Sequence, residues 1–149
     1  MRTAIVEHPL EPSTLLAEVA DATCGAVTLF VGTVRDVNDG RPVTGIDYSA
    51  YGPMASEELD RIAGEAVERF GTVRLVVEHR IGTLTLGEAS IAIAVAHPHR
   101  AAVLDAQRYV IEEVKRRVPI WKREHYTDGT RAWVDPTRPG AAAGTGAAS

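Results

Sequence analysis

The chain has 149 residues, 45% of them hydrophobic and 24% charged, which suits one soluble domain with a buried core. A net charge of −4 and an aromatic content of 5% exclude broad, non-specific nucleic-acid binding, and the single cysteine, Cys24, excludes an internal disulfide or a multi-cysteine zinc site. No apolar run reaches membrane-spanning length and no signal-peptide core stands at the N-terminus, so a reducing, cytoplasmic setting is expected.

Arg2 to Val6 reads as a short strand, broken by Pro9 and Pro12. Ser13 is the expected cap of a helix over Thr14 to Ala22. Gly25 to Arg35 is a strong strand, with Gly32 marking a bulge or a close backbone approach. An Asn/Asp/Gly-rich turn leads to a second strand, Val43 to Tyr51, and the two read as a hairpin with a longer loop. Gly52-Pro53 opens a helix with Ala55, Leu59, Ile62, Ala63, Ala66 and Phe70 as its apolar stripe, closed by Gly71. Val73 to Arg80 is a strand and Ile81 to Leu86 is extended. The apolar run Ala89 to Ala96 reads as a central strand buried on both faces.

A long helix runs from Ala101, with Val103, Leu104, Gln107, Val110, Ile111, Val114 and Val118 at helical spacing. It runs into Lys115-Arg116-Arg117-Val118-Pro119-Ile120-Trp121-Lys122, four of the chain's 16 basic residues in eight positions. Pro119 ends the helix and Lys122 opens an extended segment, so two lysines can converge across a fixed Pro-Ile-Trp corner. Arg116 and Arg117 are assigned only to complementing the helix dipole. A hairpin around Asp128-Gly129 follows. Residues 1–136 form the expected domain, and the Ala/Gly-rich segment 137–149 is expected to be a disordered tail. The alternation of helices with strand pairs implies an α+β fold with a mixed or mostly antiparallel sheet.

Cationic groups recur at element ends: Arg35 after a strand, His99 and Arg100 at a helix start, Lys115 at a helix end, Lys122 at a strand start. Should the strands ending at Arg35 and Ala96 run side by side in the same direction, these groups share one rim suited to a phosphate or a polyanionic small molecule. The chemistry on offer is anion binding, proton donation by Lys or His, or a lysine nucleophile. No Walker, GxGxxG or GxSxG motif is present, and neither a metal nor a cofactor is expected.

The segment Lys115-Arg-Arg-Val-Pro-Ile-Trp-Lys122 resembles the K-x-R-x-P-x-W-K signature of the large, catalytic subunit of molybdopterin synthase. Phe30-Val-Gly-Thr-Val-Arg35, Val43-Thr-Gly-Ile-Asp-Tyr-Ser-Ala-Tyr51, His79-Arg-Ile-Gly-Thr-Leu-Thr-Leu-Gly-Glu88 and His99-Arg100 fit the same family in order, over roughly residues 2 to 135. The resemblance implies an α/β hammerhead-like domain with an added small antiparallel β subdomain. It implies a sulfurtransferase of molybdenum cofactor biosynthesis that converts cyclic pyranopterin monophosphate into the molybdopterin dithiolene. Sulfur would come from the C-terminal Gly-Gly thiocarboxylate of a small ubiquitin-like subunit, within a heterotetramer built on a homodimer of large subunits. Lys115 and Lys122 then look like the catalytic lysines, and Arg35, His99 and Arg100 like the substrate-binding groups. Arg138 looks like an arginine lent to the neighbouring subunit's pocket. The alternative is a non-catalytic module that binds a phosphorylated small molecule.

Overall fold

The computed structural model describes residues 1–71 and 73–134 and the backbone of 142–143. Its elements are β1 (Arg2–Val6), α1 (Pro12–Val19), β2 (Ala26–Thr33), β3 (Val37–Asn38), β4 (Arg41–Ala50), α2 (Gly52–Phe70), β5 (Arg74–Arg80), β6 (Gly82–Thr85), β7 (Ala89–His97), α3 (Arg100–Arg117), β8 (Ile120–Tyr126), β9 (Arg131–Val134) and β10 (Ala142–Ala143). The order matches the α+β expectation, with two short strands added. Of the expected tail, only Ala142 and Ala143 are described, paired with Val134 and Trp133; the rest of 137–149, and Arg138 with it, lies outside the described residues.

Two sheets form. The first has the order β1-β5-β7-β2, with β1 parallel to β5 and the other pairs antiparallel. One of its two inner strands, β7, is buried almost throughout, as its unbroken apolar run dictates. Ile91, Ile93 and Val95 face the main core with α2 and α3, while Ala92, Ala94 and Ala96 face Leu15 and Val19 of the short α1. The second sheet has the order β10-β9-β8-β4-β3, with β6 also pairing β4. Among the described residues no helix is long and apolar enough to cross a membrane.

Three local expectations change. β2 and β4 are not a hairpin: β2 pairs β7 in one sheet and β4 pairs β8 and β6 in the other. The chain leaves the first sheet at Val34 and turns back at Asp39-Gly40, both at positive φ, so β4's true hairpin partner is the two-residue β3. Helix α1 starts earlier than Ser13 allows: Pro12 takes its first turn, Glu11 is the N-cap residue, and no side-chain cap bond forms. On α3, Leu104 points to solvent and Ala106 takes its place in the core beside Val103, Val110 and Val114.

Arg117 does more than complement a dipole. It donates to Glu65 at 2.6 and 2.9 Å and to Glu58 at 2.8 Å, while Tyr109 also donates to Glu65 at 2.8 Å. This tie fastens the end of α3, and so Lys115, to α2. Among the described residues Arg116 reaches only Glu113, on its own helix.

A bulge or a close approach is expected at Gly32, and the β2–β7 register shifts between Gly32 and Thr33. Gly45 serves a tighter approach, since a Cβ there would stand 2.9 Å from the Leu84 carbonyl oxygen of β6, a backbone atom that cannot swing away. Gly45→Ala is expected to destabilise the protein by about 1–3 kcal/mol, read as a lower urea midpoint at unchanged m-value.

Candidate active site

α3 ends at Arg117, its C-cap Val118 is extended and followed by Pro119, and β8 begins at Ile120. Along β8 side chains alternate. Lys122, Glu124 and Tyr126 face inward and Trp121 faces out at 42% exposure, while Arg123 and His125 lie beside Asp47 on the outer side. The corner therefore delivers Lys122 to the same side as Lys115.

The two lysines meet in a pocket of roughly 120 Å³, whose other lining residues include Arg35, Asn38, Tyr48, Ser90 and Glu124. Tyr48 is the cross-strand partner of Lys122 on β4. Below the cations lies a buried polar floor. Arg35 donates to Asn38 Oδ1 at 3.4 Å, Asn38 Nδ2 donates to Glu124 Oε1 at 3.0 Å, and the Tyr126 hydroxyl donates to the same oxygen at 2.9 Å.

Protein atoms crowd Lys115, and this desolvation, with the Lys122 ammonium nearby, lowers its pKa. Lys115 is nonetheless exposed as a residue, so water moderates the shift. Burial also lowers the pKa of Lys122, against the pull of Glu124, and Arg35 adds to the lowering. Lys115 has no carboxylate within ion-pair distance among the described residues, whereas Lys122 has Glu124 beside it in the lining. The amine without a counter-charge is the better proton donor near neutral pH.

Behind Tyr48 stands His79, 3% exposed, its ring edge-on to the tyrosine at 5.5 Å and its Nδ1 2.9 Å from the Arg80 carbonyl. Burial, with Lys115 nearby, pushes its pKa down to about 4. The unfolded chain takes up this proton near pH 6.5 and the folded one only near 4, so stability is full above 6.5 and is lost as the pH falls toward 4. A loss on the order of 3 kcal/mol across that window is expected. His79→Gln should flatten this slope in denaturant melts taken at stepped pH.

His99 and Arg100 are elsewhere. The shared rim required parallel neighbours, but β2 and β7 are antiparallel: Ala26 pairs His97 at one end and Thr33 pairs Ala89 at the other. Arg35 and the start of α3 thus lie at opposite ends of the sheet. Fifteen residues of α3 separate Arg100 from Lys115, about 22 Å at 1.5 Å per residue. Both groups are exposed, in a separate shallow depression with Gly25 and Ala26. His97 packs instead, its Nδ1 accepting from the His99 backbone at 3.0 Å and its Nε2 3.2 Å from the Phe70 carbonyl. No group of three or more metal-ligating side chains occurs among the described residues.

Asn38, Tyr48, Ser90 and Glu124 were not foreseen as site residues. Glu124 carried a signal, since it follows Lys122 by two on a strand and must share its face. Asn38 carried none, because its place depends on a two-residue strand inside an expected turn.

A two-sheet α+β domain with paired lysines and an arginine over a buried carboxylate belongs with proteins that handle small anionic molecules. The MoaE protein family model matches residues 5–117, and the chain belongs to that family. It is 43% identical over 126 residues to the molybdopterin synthase catalytic subunit of Emericella nidulans, a match covering 85% of this chain and 65% of that protein, so the chain spans less than two thirds of this relative's length. It is 41% identical over 133 residues to that of Halalkalibacterium halodurans, covering 89% of this chain and 85% of that protein. The structure of molybdopterin synthase from Staphylococcus aureus superposes with a TM-score of 0.82 at 35% identity, covering 87% of this chain and 93% of that one.

Proposed function

We propose that this chain is the catalytic subunit of a molybdopterin synthase. It moves sulfur from the C-terminal thiocarboxylate of a small ubiquitin-like subunit to cyclic pyranopterin monophosphate, giving the dithiolene. The observation that carries the reading is the convergence of Arg35, Lys115 and Lys122 in one pocket. Arg35, at the mouth, takes the substrate's anionic edge. Lys122 holds positive charge where the thiocarboxylate arrives. Lys115 donates a proton to departing oxygen and, once neutral, can attack the carbonyl of the thioester that joins the tail to the substrate, forming an amide to the tail as the substrate's sulfur leaves as thiolate.

The pocket's size argues for a second copy. Small-molecule sites commonly occupy about 300–1,000 Å³, well above the roughly 120 Å³ here, so one chain encloses only the reacting end of a pterin phosphate. β2 is a terminal strand of its sheet. Antiparallel pairing of β2 with β2 of a second copy would set the Ala26 end of one against the Thr33 end of the other. That arrangement carries the partner subunit's His99 and Arg100 toward Arg35, and it assigns both groups to substrate binding across a homodimer. Arg138, outside the described residues, is proposed for the same partner-facing role, residues 1–136 as the catalytic unit, and the cytoplasm as its compartment.

The test is a single-turnover assay combining this chain, cyclic pyranopterin monophosphate and a thiocarboxylated small subunit. Dithiolene formation is expected. Its absence, with a small subunit shown competent alongside another large subunit, would leave a non-catalytic binding module as the better account.

A further inference from the structure

The segment His79 to Glu88 stands outside the pocket's lining, yet it holds a densely hydrogen-bonded turn. Arg80, at the end of β5, donates through Nη1 to Glu88 Oε2. The other oxygen of Glu88 accepts from the Thr85 hydroxyl at 2.5 Å and the Thr85 backbone N–H at 3.3 Å. One carboxylate thus closes the whole β6–β7 turn. Gly87, at φ 81°, adopts a backbone conformation that side-chain-bearing residues rarely take. It aims its N–H at the Val34 carbonyl, at 2.7 Å, while the Val34 N–H donates to the Glu88 carbonyl at 3.0 Å. Val34 is therefore gripped on both sides by this turn, and it is the residue immediately before Arg35.

Arg35 has left β2 and has no regular ladder of its own. Its side chain is steered by one long bond to Asn38. Its backbone is steered by the grip on Val34. The Arg80 side chain is largely buried at 13% exposure, and its Nε has no partner among the described residues. Without Glu88 the guanidinium would be a mostly buried, unpaired charge, so the turn could not keep its present shape.

We infer that Arg80 and Glu88 are positioning residues that set Arg35 for the anionic group of the substrate, acting through the Gly87–Val34 and Glu88–Val34 backbone bonds. The inference rests on the reading of Arg35 as a substrate-binding group, and it predicts coupling rather than mere loss of stability.

The experiment is a double-mutant cycle of Glu88→Ala and Arg35→Ala in the single-turnover assay with cyclic pyranopterin monophosphate and thiocarboxylated small subunit. Half-saturating substrate and the rate at saturation are read separately, with a melting curve for each variant. Glu88→Ala is expected to raise half-saturation about tenfold, with the saturated rate within about twofold, and to add less than about twofold once Arg35 is alanine. Glu88→Gln, which keeps the shape and loses the charge, carries the same expectation and replaces the alanine variant should that one not fold. Additive effects in the double variant, or unchanged half-saturation in both Glu88 variants beside a weakened Arg35→Ala, would overturn the inference alone. Unchanged half-saturation in Arg35→Ala would overturn the anion-binding reading of Arg35 and the inference with it.

Discussion

Lys115→Ala is expected to slow single-turnover dithiolene formation by about a hundredfold or more. The variant should fold as well as the parent or better. Lys115 makes no ion pair among the described residues, and its removal leaves no partner stranded. It also relieves the repulsion from Lys122 that helps lower the Lys115 pKa. Activity and stability should therefore move in opposite directions, which separates a catalytic loss from a folding loss. Lys115→Arg divides the roles further. A guanidinium stays charged throughout the working pH range, so it can hold an oxyanion but neither gives up a proton nor attacks an acyl group. Arginine matching alanine in its defect would assign proton transfer or nucleophilic attack to Lys115; substantial rescue would assign static charge. Lys122→Met should raise the Lys115 pKa by removing its cationic neighbour, moving the pH–rate profile upward.

Glu124→Ala is expected to cost about 2–4 kcal/mol, or roughly 10 °C in melting temperature at about 2–4 °C per kcal/mol. Glu124 is 2% exposed and accepts from both Asn38 and Tyr126, which are themselves buried at 6% and 4%. Truncation strands the Tyr126 hydroxyl and removes the Asn38 Nδ2 bond to Glu124. It also withdraws the carboxylate that raises the Lys122 pKa, so that lysine loses charge at a lower pH. Calorimetry measures the first effect and the pH–rate profile the second. Glu124→Gln can still accept from one donor and should show a smaller thermal loss. A melting temperature unchanged in the alanine variant would contradict the floor network.

The run from Lys115 to Lys122 was legible because both of its physical determinants are local. Helical periodicity sets the facing of Lys115, and Pro119 cannot be helical interior. The buried strand β7 and the stripe of α2 were legible for the same reason: their patterns lie within one element. What escaped was relation between elements. Whether β2 runs with or against β7 is decided by packing between residues more than 50 positions apart, and that single fact sends His99 and Arg100 to the far end of the sheet. The pairing of β2 with β4 failed likewise, because a loop length permits a hairpin without requiring one. Ser13 lost its cap to Pro12, a neighbour whose fixed φ begins the helix sooner. Glu124 and Tyr48 sit opposite or two along from Lys122, and a period of two names them once β8 is paired.

The corner between α3 and β8 has a consequence for how the sequence can vary. Only Pro119 and Ile120 and their immediate neighbours separate a helical register from a strand register. Substituting a side chain there leaves the geometry of the two lysines largely intact. Adding or deleting one residue shifts the strand by half its repeat and turns every side chain to the opposite face. Trp121 or Arg123 would then project into the pocket and Lys122 would project into water. The spacing of the two lysines is thus a counted quantity, and the number of residues in the corner is more tightly constrained than their identity.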